Sequence, residues 1–502
     1  MERSGERDVR LVELLGALAS GTDLGMGQPP GHALRTCLIA GALATELDLA
    51  PAQRAETFYV GLLRYLGCTA DSWEVARFGG DEIALAVTVA PWVMGEAVQE
   101  ERALGVTGLE PVKSASMAAH CEAAAMLATR LGLGDGVVAA LAHGFERWDG
   151  AGHPAGLAGD AVPLAVRVAV VARDVDVWFR RGGMDAVRDT VLARRGRAYD
   201  PRVVDAVLDA GGRILAALPE DPWKAFLAAE PLPVRVPAGS LDHLLEVVAD
   251  FADGKLPCAL GHARAVARSA HAAAAELGLD RDTAVRVRHA ALVQDLGRVG
   301  VSNRIWGKPG RLSADENERV RLHPYLSERI LARPGLLRPL AALAGAHHER
   351  QDGSGYHRGS RGAALGTGER VLAAADVFCA LVQDRPHRPA LARPQAAAVL
   401  ADEVSAGRLD ARAAKAVAAV GGQPLGRLRD AWPDGLTDRE VDVLRLACRG
   451  ASRESVARRL GISAKTVSRH LEHSYLKIGV STRAGAALYA VAHGLLSESD
   501  AG

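Results

Sequence analysis

The residues of this chain best suited to chemistry are His262, Asp295, His323, His347, His348 and Asp376. Imidazole nitrogens and carboxylate oxygens are ligands that suit iron, manganese, zinc and similar ions. Two such ions about 3.5–4 Å apart need more ligands than one histidine pair provides, and together they can activate water and clamp a phosphodiester in line. His347 and His348 are adjacent. On a helix they would point about 100° apart, which suits service to different ions. Any one of these histidines alone is well explained as a partly buried polar residue. The ordered set is what points to metal.

These residues must be positioned by helices. Apolar residues recur at helical spacing nearly throughout, as in ARAVARSAHAAAAELGL, and alternating β-branched runs are few. The expected fold class is all-α. Pro/Gly-rich breaks at 219–223, 231–240 and 423–435 divide the chain into residues 1–232, 240–425 and 434–502.

The first two segments read as copies of one unit. Gly31-His32-Ala33 matches Gly261-His262-Ala263, and Tyr65 stands where the second copy has Asp295. Glu146 follows His120 by 26 residues, as Glu349 follows His323, and Asp174 then matches Asp376. The offset falls from 230 to 203, so the first copy carries about 27 extra residues between Tyr65 and His120.

Composition sets bounds on partners. Lys+Arg and Asp+Glu are both 60 in 502 residues, so any DNA-binding surface must be local. Six scattered cysteines without a CxxC pair argue against a disulfide framework or zinc ribbon and for a reducing compartment. MERSGERDVR has no apolar stretch of the signal-peptide kind, and no membrane span is expected, so the expected location is cytoplasmic.

LVQDLGRVGVSNRIWGKPGRLSADE, RLHPYLSERIL, AHHERQDGSGYH and RVLAAADVFCAL occur in this order. Over about residues 240–425 the chain thereby resembles the HD-GYP branch of the HD-domain phosphohydrolases. The resemblance implies a helical domain in which His262, Asp295, His323, His347, His348 and Asp376 are metal ligands. It implies one or two ions of Fe, Mn or Zn, with a cyclic dinucleotide or other phosphorylated small molecule as ligand. Asp295 and Arg298 are the catalytic candidates, Arg298 standing where the family places a phosphate-contacting Lys. Departures are Gln294 for the namesake His, Cys258 at an acidic position, and His357 for the Pro of Gly-Tyr-Pro. In residues 1–232 the namesake pair reads Arg64-Tyr65 and the double His reads His143-Gly144. A degenerate copy of the same fold is expected there, with no metal; His32, His120, His143 and Asp174 would be remnants or polar groups satisfied within the helices.

The last segment carries a different chemistry. Thr437 with Glu440 forms a capping box before an apolar helix. Ser452 starts a short helix that Gly461 ends, and Ser463 caps the next, the pattern of a helix-turn-helix. Between Cys448 and Arg483 there are eight Lys/Arg and two acids, a local basic face in a chain of zero net charge. The whole segment resembles the LuxR-type DNA-binding domain of four helices. That resemblance implies contact with double-stranded DNA through Lys465, Thr466, Arg469 and His470. It leaves Arg453, Lys477 and Arg483 to touch phosphate or brace the helices, and it implies a homodimer formed through the helix near 483–496.

Two functions are therefore expected, in this order. The first is a DNA-binding transcriptional regulator whose HD-GYP-like body senses metal or a phosphorylated ligand, or dimerises. The alternative is a metal-dependent phosphodiesterase that carries a DNA-binding domain.

Overall fold

The computed structural model describes residues 8–89, 109–426, 432–493 and 495–496. Residues 1–7, and 427–431 of the expected break near 423–435, lie outside that description. The all-α expectation holds. Among the described residues the named strands are Val9–Arg10 and Arg235–Val236, an antiparallel pair with Val9 opposite Val236. The chain forms two compact units.

The first unit comprises residues 1–265, 289–345 and 384–389. Helix Leu11–Gly25 is apolar on nearly all sides, and Leu11, Leu14, Leu15 and Leu18 are fully buried, as a helix at the centre of a domain must be. It packs against helix His32–Glu46, which meets helices Pro51–Leu63 and Leu164–Arg194. Helix Pro201–Ala216 begins with Pro at its first position and Asp200 accepting from the Arg202 amide, both favourable where amides lack helical partners. The central helix also packs against the 3-10 turn Leu296–Gly300, and that turn packs under helix His323–Leu331.

The second unit comprises residues 266–288, 346–383 and 390–502. Helices Thr367–Leu381, Arg393–Ser405 and Ala411–Val420 pack together. Its C-terminal part holds helices Asp438–Cys448, Arg453–Leu460, Ala464–Lys477 and Arg483–Ala492 around two small apolar clusters.

Local geometry repeats along the chain as the sequence copies do. Asp23 accepts from the Ala33 amide at 3.0 Å, and Asp253 accepts from the Ala263 amide at 3.0 Å. Glu146 accepts from the amides of Ala155 and Leu157; Glu349 accepts from those of Arg358 and Ser360. Gly31 and Gly261, each before the histidine that opens a helix, have φ of 83° and 76°, a conformation that strains other residues. Part of the first copy's extra length forms helices Ser72–Gly79 and Glu82–Val89.

Candidate metal centre and nucleic-acid interface

In the first unit, the segment from His289 runs into a turn that places Gln294 and Asp295 in the interior, 0% and 1% exposed. Gly297 allows the next turn to close, since a Cβ there would lie 2.2 Å from the His323 carbonyl oxygen. The Gly297 amide donates to Ser327 Oγ at 2.8 Å, which fixes the turn against the helix that His323 opens. Asp295 thereby stands between two histidines: Oδ1 is 3.4 Å from His323 Nε2, and Oδ2 is 3.9 Å from His262 Nε2. Ligand atoms about 2.0–2.2 Å from a shared ion are held roughly 3–4 Å apart, so this spacing fits metal ligation. His323 Nδ1 lies 2.6 Å from the Val320 carbonyl oxygen. That contact keeps the ring proton on Nδ1 and the lone pair on Nε2, facing Asp295.

Cations border this cluster. Arg298 Nη2 is 2.8 Å from Asp295 Oδ2, and its guanidinium lies 5.3 Å from the Trp306 ring centroid. Arg385 Nη2 is 3.4 Å from His262 Nδ1. Asp253, fully buried, has its pKa raised by burial to about 6, while the charges of Arg298 and His262 act the other way. Sequence reading passed over Asp253, Trp306 and Arg385. Asp253 had a signal: Asp23 and Asp253 differ by the same offset of 230 that aligns His32 with His262.

In the second unit, His347 and His348 lie in a turn that follows helix Arg338–Gly345, so the helical spacing expected for them does not apply. Their ring centroids are 4.2 Å apart, and His348 lies 4.8 Å from the Tyr356 ring. His348 Nδ1 is 3.8 Å from Asp376 Oδ2, on helix Thr367–Leu381. His347 and Asp376 are buried; His348 is half-buried. Glu349 is not a ligand candidate, because both its oxygens accept backbone amides and hold the 349–360 loop.

The first copy spends the same positions differently. His32 Nδ1 is 2.5 Å from Asp176 Oδ2, and Arg35 and Arg180 hold the same carboxylate at 2.8 and 3.0 Å. Burial pushes the His32 pKa down; burial also lowers that of His120, to about 4. His120 Nε2 contacts the Arg64 carbonyl oxygen at 3.1 Å, and its ring packs edge-on against Phe145. Asp174 is held by Arg173, Arg194 and the Tyr199 hydroxyl. His143 Nδ1 stands 3.6 Å from Glu146 Oε1.

The C-terminal helices are capped as expected. Thr437 and Glu440 form the capping box, Ser452 accepts from the Ser455 amide, and Ser463 accepts from the Thr466 amide at 3.0 Å. Gly461 has φ 64° and turns the chain between the two short helices. Val467 and Ser474 of helix Ala464–Lys477 face the core. Lys465 and Arg469, one turn apart, are exposed; Thr466 and His470, also one turn apart, are half-buried. Arg453 and Arg483 are exposed. Lys477 is committed to bracing: its Nζ donates to the Gly435 carbonyl at 2.9 Å and to Glu440 at 2.7 Å. Leu488 and Val491 of the last helix are exposed apolar residues. Among the described residues no helix is long and apolar enough to cross a membrane.

Residues 246–413 match the family model described as HD domain, and residues 434–490 match that of bacterial regulatory proteins, luxR family. The chain is 28% identical to 3′3′-cGAMP-specific phosphodiesterase 3 of Vibrio cholerae serotype O1, over 78% of its own length and 91% of that protein's. It is 37% identical over 117 residues, 23% of this chain and 32% of that protein, to a cyclic di-GMP phosphodiesterase of Thermotoga maritima. The crystal structure of a cyclic GMP-AMP specific phosphodiesterase of V. cholerae is similar with a TM-score of 0.58 and 26% identity, over 83% of this chain and 98% of that one.

Proposed function

We propose that this chain, which joins an HD domain to a luxR-family regulatory domain, is a metal-dependent phosphodiesterase acting on cyclic dinucleotides and held at DNA by its C-terminal helices. The regulator reading, placed first on sequence, becomes the second. The observation that carries the order is the buried Asp295 carboxylate between the Nε2 atoms of His262 and His323, with the His323 tautomer set for ligation. His262, Asp295 and His323 of the first unit, and His347, His348 and Asp376 of the second, are the residues we assign as ligands of one or two divalent ions. When bound, such ions supply Lewis acidity and a water of lowered pKa. The chain's own part is to bury the ligands, orient them through Ser327, Gly297 and Val320, and present the guanidinium of Arg298 to the phosphate being cleaved. The phosphodiesterase names of the relatives support a cyclic dinucleotide as substrate.

Helix Ala464–Lys477 would read DNA from its N-terminal turn, with Lys465, Thr466, Arg469 and His470 at the bases, and Arg453 and Arg483 on phosphates. Leu488 and Val491 would form the dimer contact that pairs two such helices. The organisation proposed is a degenerate domain at 1–232, an HD domain at 240–425 and the DNA reader at 434–502.

The test is turnover of 3′3′-cGAMP and cyclic di-GMP by the full chain loaded with Mn or Fe, beside Asp295→Ala. Turnover lost in the variant supports hydrolysis. A protein that binds metal and cleaves neither dinucleotide, yet changes DNA affinity when either is added, would return the regulator reading to first place. Gln294 and the Arg298–Asp295 ion pair favour that second reading, since the first removes an imidazole ligand and the second engages the carboxylate.

A further inference from the structure

We propose that the first copy has exchanged its metal centre for an oxyanion site, in which the Arg64 guanidinium receives a phosphoryl group. The site is a cleft lined by Arg64, Arg147 and Arg173 together with Glu146, Asp174 and the ring of Phe145. It lies wholly within the first unit and does not depend on hydrolysis by the second copy.

The charges of the cleft are not balanced from within. Each oxygen of Glu146 accepts an amide, one from Ala155 and one from Leu157. Asp174 is held by Arg173, Arg194 and Tyr199, and Arg147 forks onto Asp149. Arg64 is 7% exposed, and among the described residues its Nε and Nη1 have no hydrogen-bond acceptor. The guanidinium lies 5.0 Å from the Phe145 ring centroid and 5.7 Å from that of Tyr65, faces that attract a cation but accept no N–H bond of ordinary strength. A guanidinium cannot shed its proton to escape burial. A buried cation left in this state is costly, and an anion that accepts its hydrogen bonds removes the cost. The fork of an arginine fits two oxygens of a phosphate.

Size limits the ligand. The cleft encloses about 490 Å³, counting space open to solvent, of which about 30 Å³ admits the centre of a water molecule. One water needs roughly 10–15 Å³ by that measure, so the enclosed part takes about two waters, or two oxygens of a phosphoryl group whose remainder lies in the open part of the cleft. A whole dinucleotide does not fit; a phosphate ion or the phosphoryl end of a nucleotide does.

The experiment uses the full chain freed of metal, in which Asp295 still engages Arg298, so that the second copy cannot contribute metal-borne phosphate binding. Inorganic phosphate and GMP are titrated against this protein and against the same protein with Arg64→Met. We expect one equivalent of saturable phosphate, with affinity reduced at least about tenfold by Arg64→Met. Tighter binding of GMP than of phosphate would identify a nucleotide as the source; binding of phosphate alone would identify the free ion, and either result supports the site. Phosphate should also raise the unfolding temperature of the parent and leave that of Arg64→Met unmoved. In phosphate-free buffer Arg64→Met should unfold no earlier than its parent, because it removes a buried charge whose Nε and Nη1 have no acceptor among the described residues. Earlier unfolding there would make Arg64 a structural cation and overturn the proposal. So would no saturable uptake below about 10 mM, or equal affinity in the two proteins.

Discussion

Asp295 and Gln294 carry opposite weights at the scale of single residues. Asp295 keeps the carboxylate that two ions can share, whereas Gln294 offers an amide oxygen where an imidazole is expected. Gln294→His should therefore raise metal retention by roughly tenfold or more and raise dinucleotide turnover with it, measured as metal per chain after dialysis against a weak chelator. Unchanged metal content would mean that position 294 does not face the ions. His347→Ala with His348→Ala should reduce bound metal per chain, and retained helical circular dichroism would show that the turn after helix Arg338–Gly345 does not need the two rings to fold. The pair was legible in the sequence as two ligands. Its separation was not, because adjacency on a helix and adjacency in a turn aim side chains differently.

Individual helices show why capping residues and basic residues must be judged separately. Ser463→Ala removes the acceptor of the Thr466 amide and should cost about 1 kcal/mol of stability in the C-terminal helices, read by denaturant unfolding. Arg469→Ala leaves the caps intact and should instead weaken binding to a cognate site by about 1–3 kcal/mol and relax its base preference, read against non-specific DNA. Lys477→Ala should behave in the opposite way, destabilising the helices while changing DNA affinity little, because Lys477 joins Glu440 and the Gly435 carbonyl. The capping residues were readable in advance, since a cap needs only its neighbours three residues on. The choice between bracing and DNA contact for Lys477 depends on Glu440, 37 residues away, and no local pattern supplies it.

Over the whole molecule, Asp23 and Asp253 are buried carboxyls 230 positions apart, and the first has a consequence for pH. Burial raises the Asp23 pKa from 3.8 to about 8. The folded chain therefore holds a proton that the unfolded chain has released between these values, so stability declines as pH rises from about 4 to about 8. Asp23→Asn keeps an oxygen for the Ala33 amide and should flatten that decline in the thermal midpoint measured from pH 5 to pH 8. A decline of the same steepness in the variant would show that another group is responsible.

The sequence by itself determined the helical class, the ordered His/Asp set and the capped helix-turn-helix. Each of these is written in short-range periodicity, in the recurrence of residues at fixed offsets, or in residue types a few positions apart. Tertiary structure alone decided that Asp295 is bracketed by His262 and His323, that Arg298 closes onto the carboxylate, and that Arg64 Nε and Nη1 are buried without an acceptor among the described residues. These depend on which distant segments meet and on which polar atoms are left without a partner when water is excluded. Burial fixes the energetic consequence of such a meeting, and burial is a property of the packed chain.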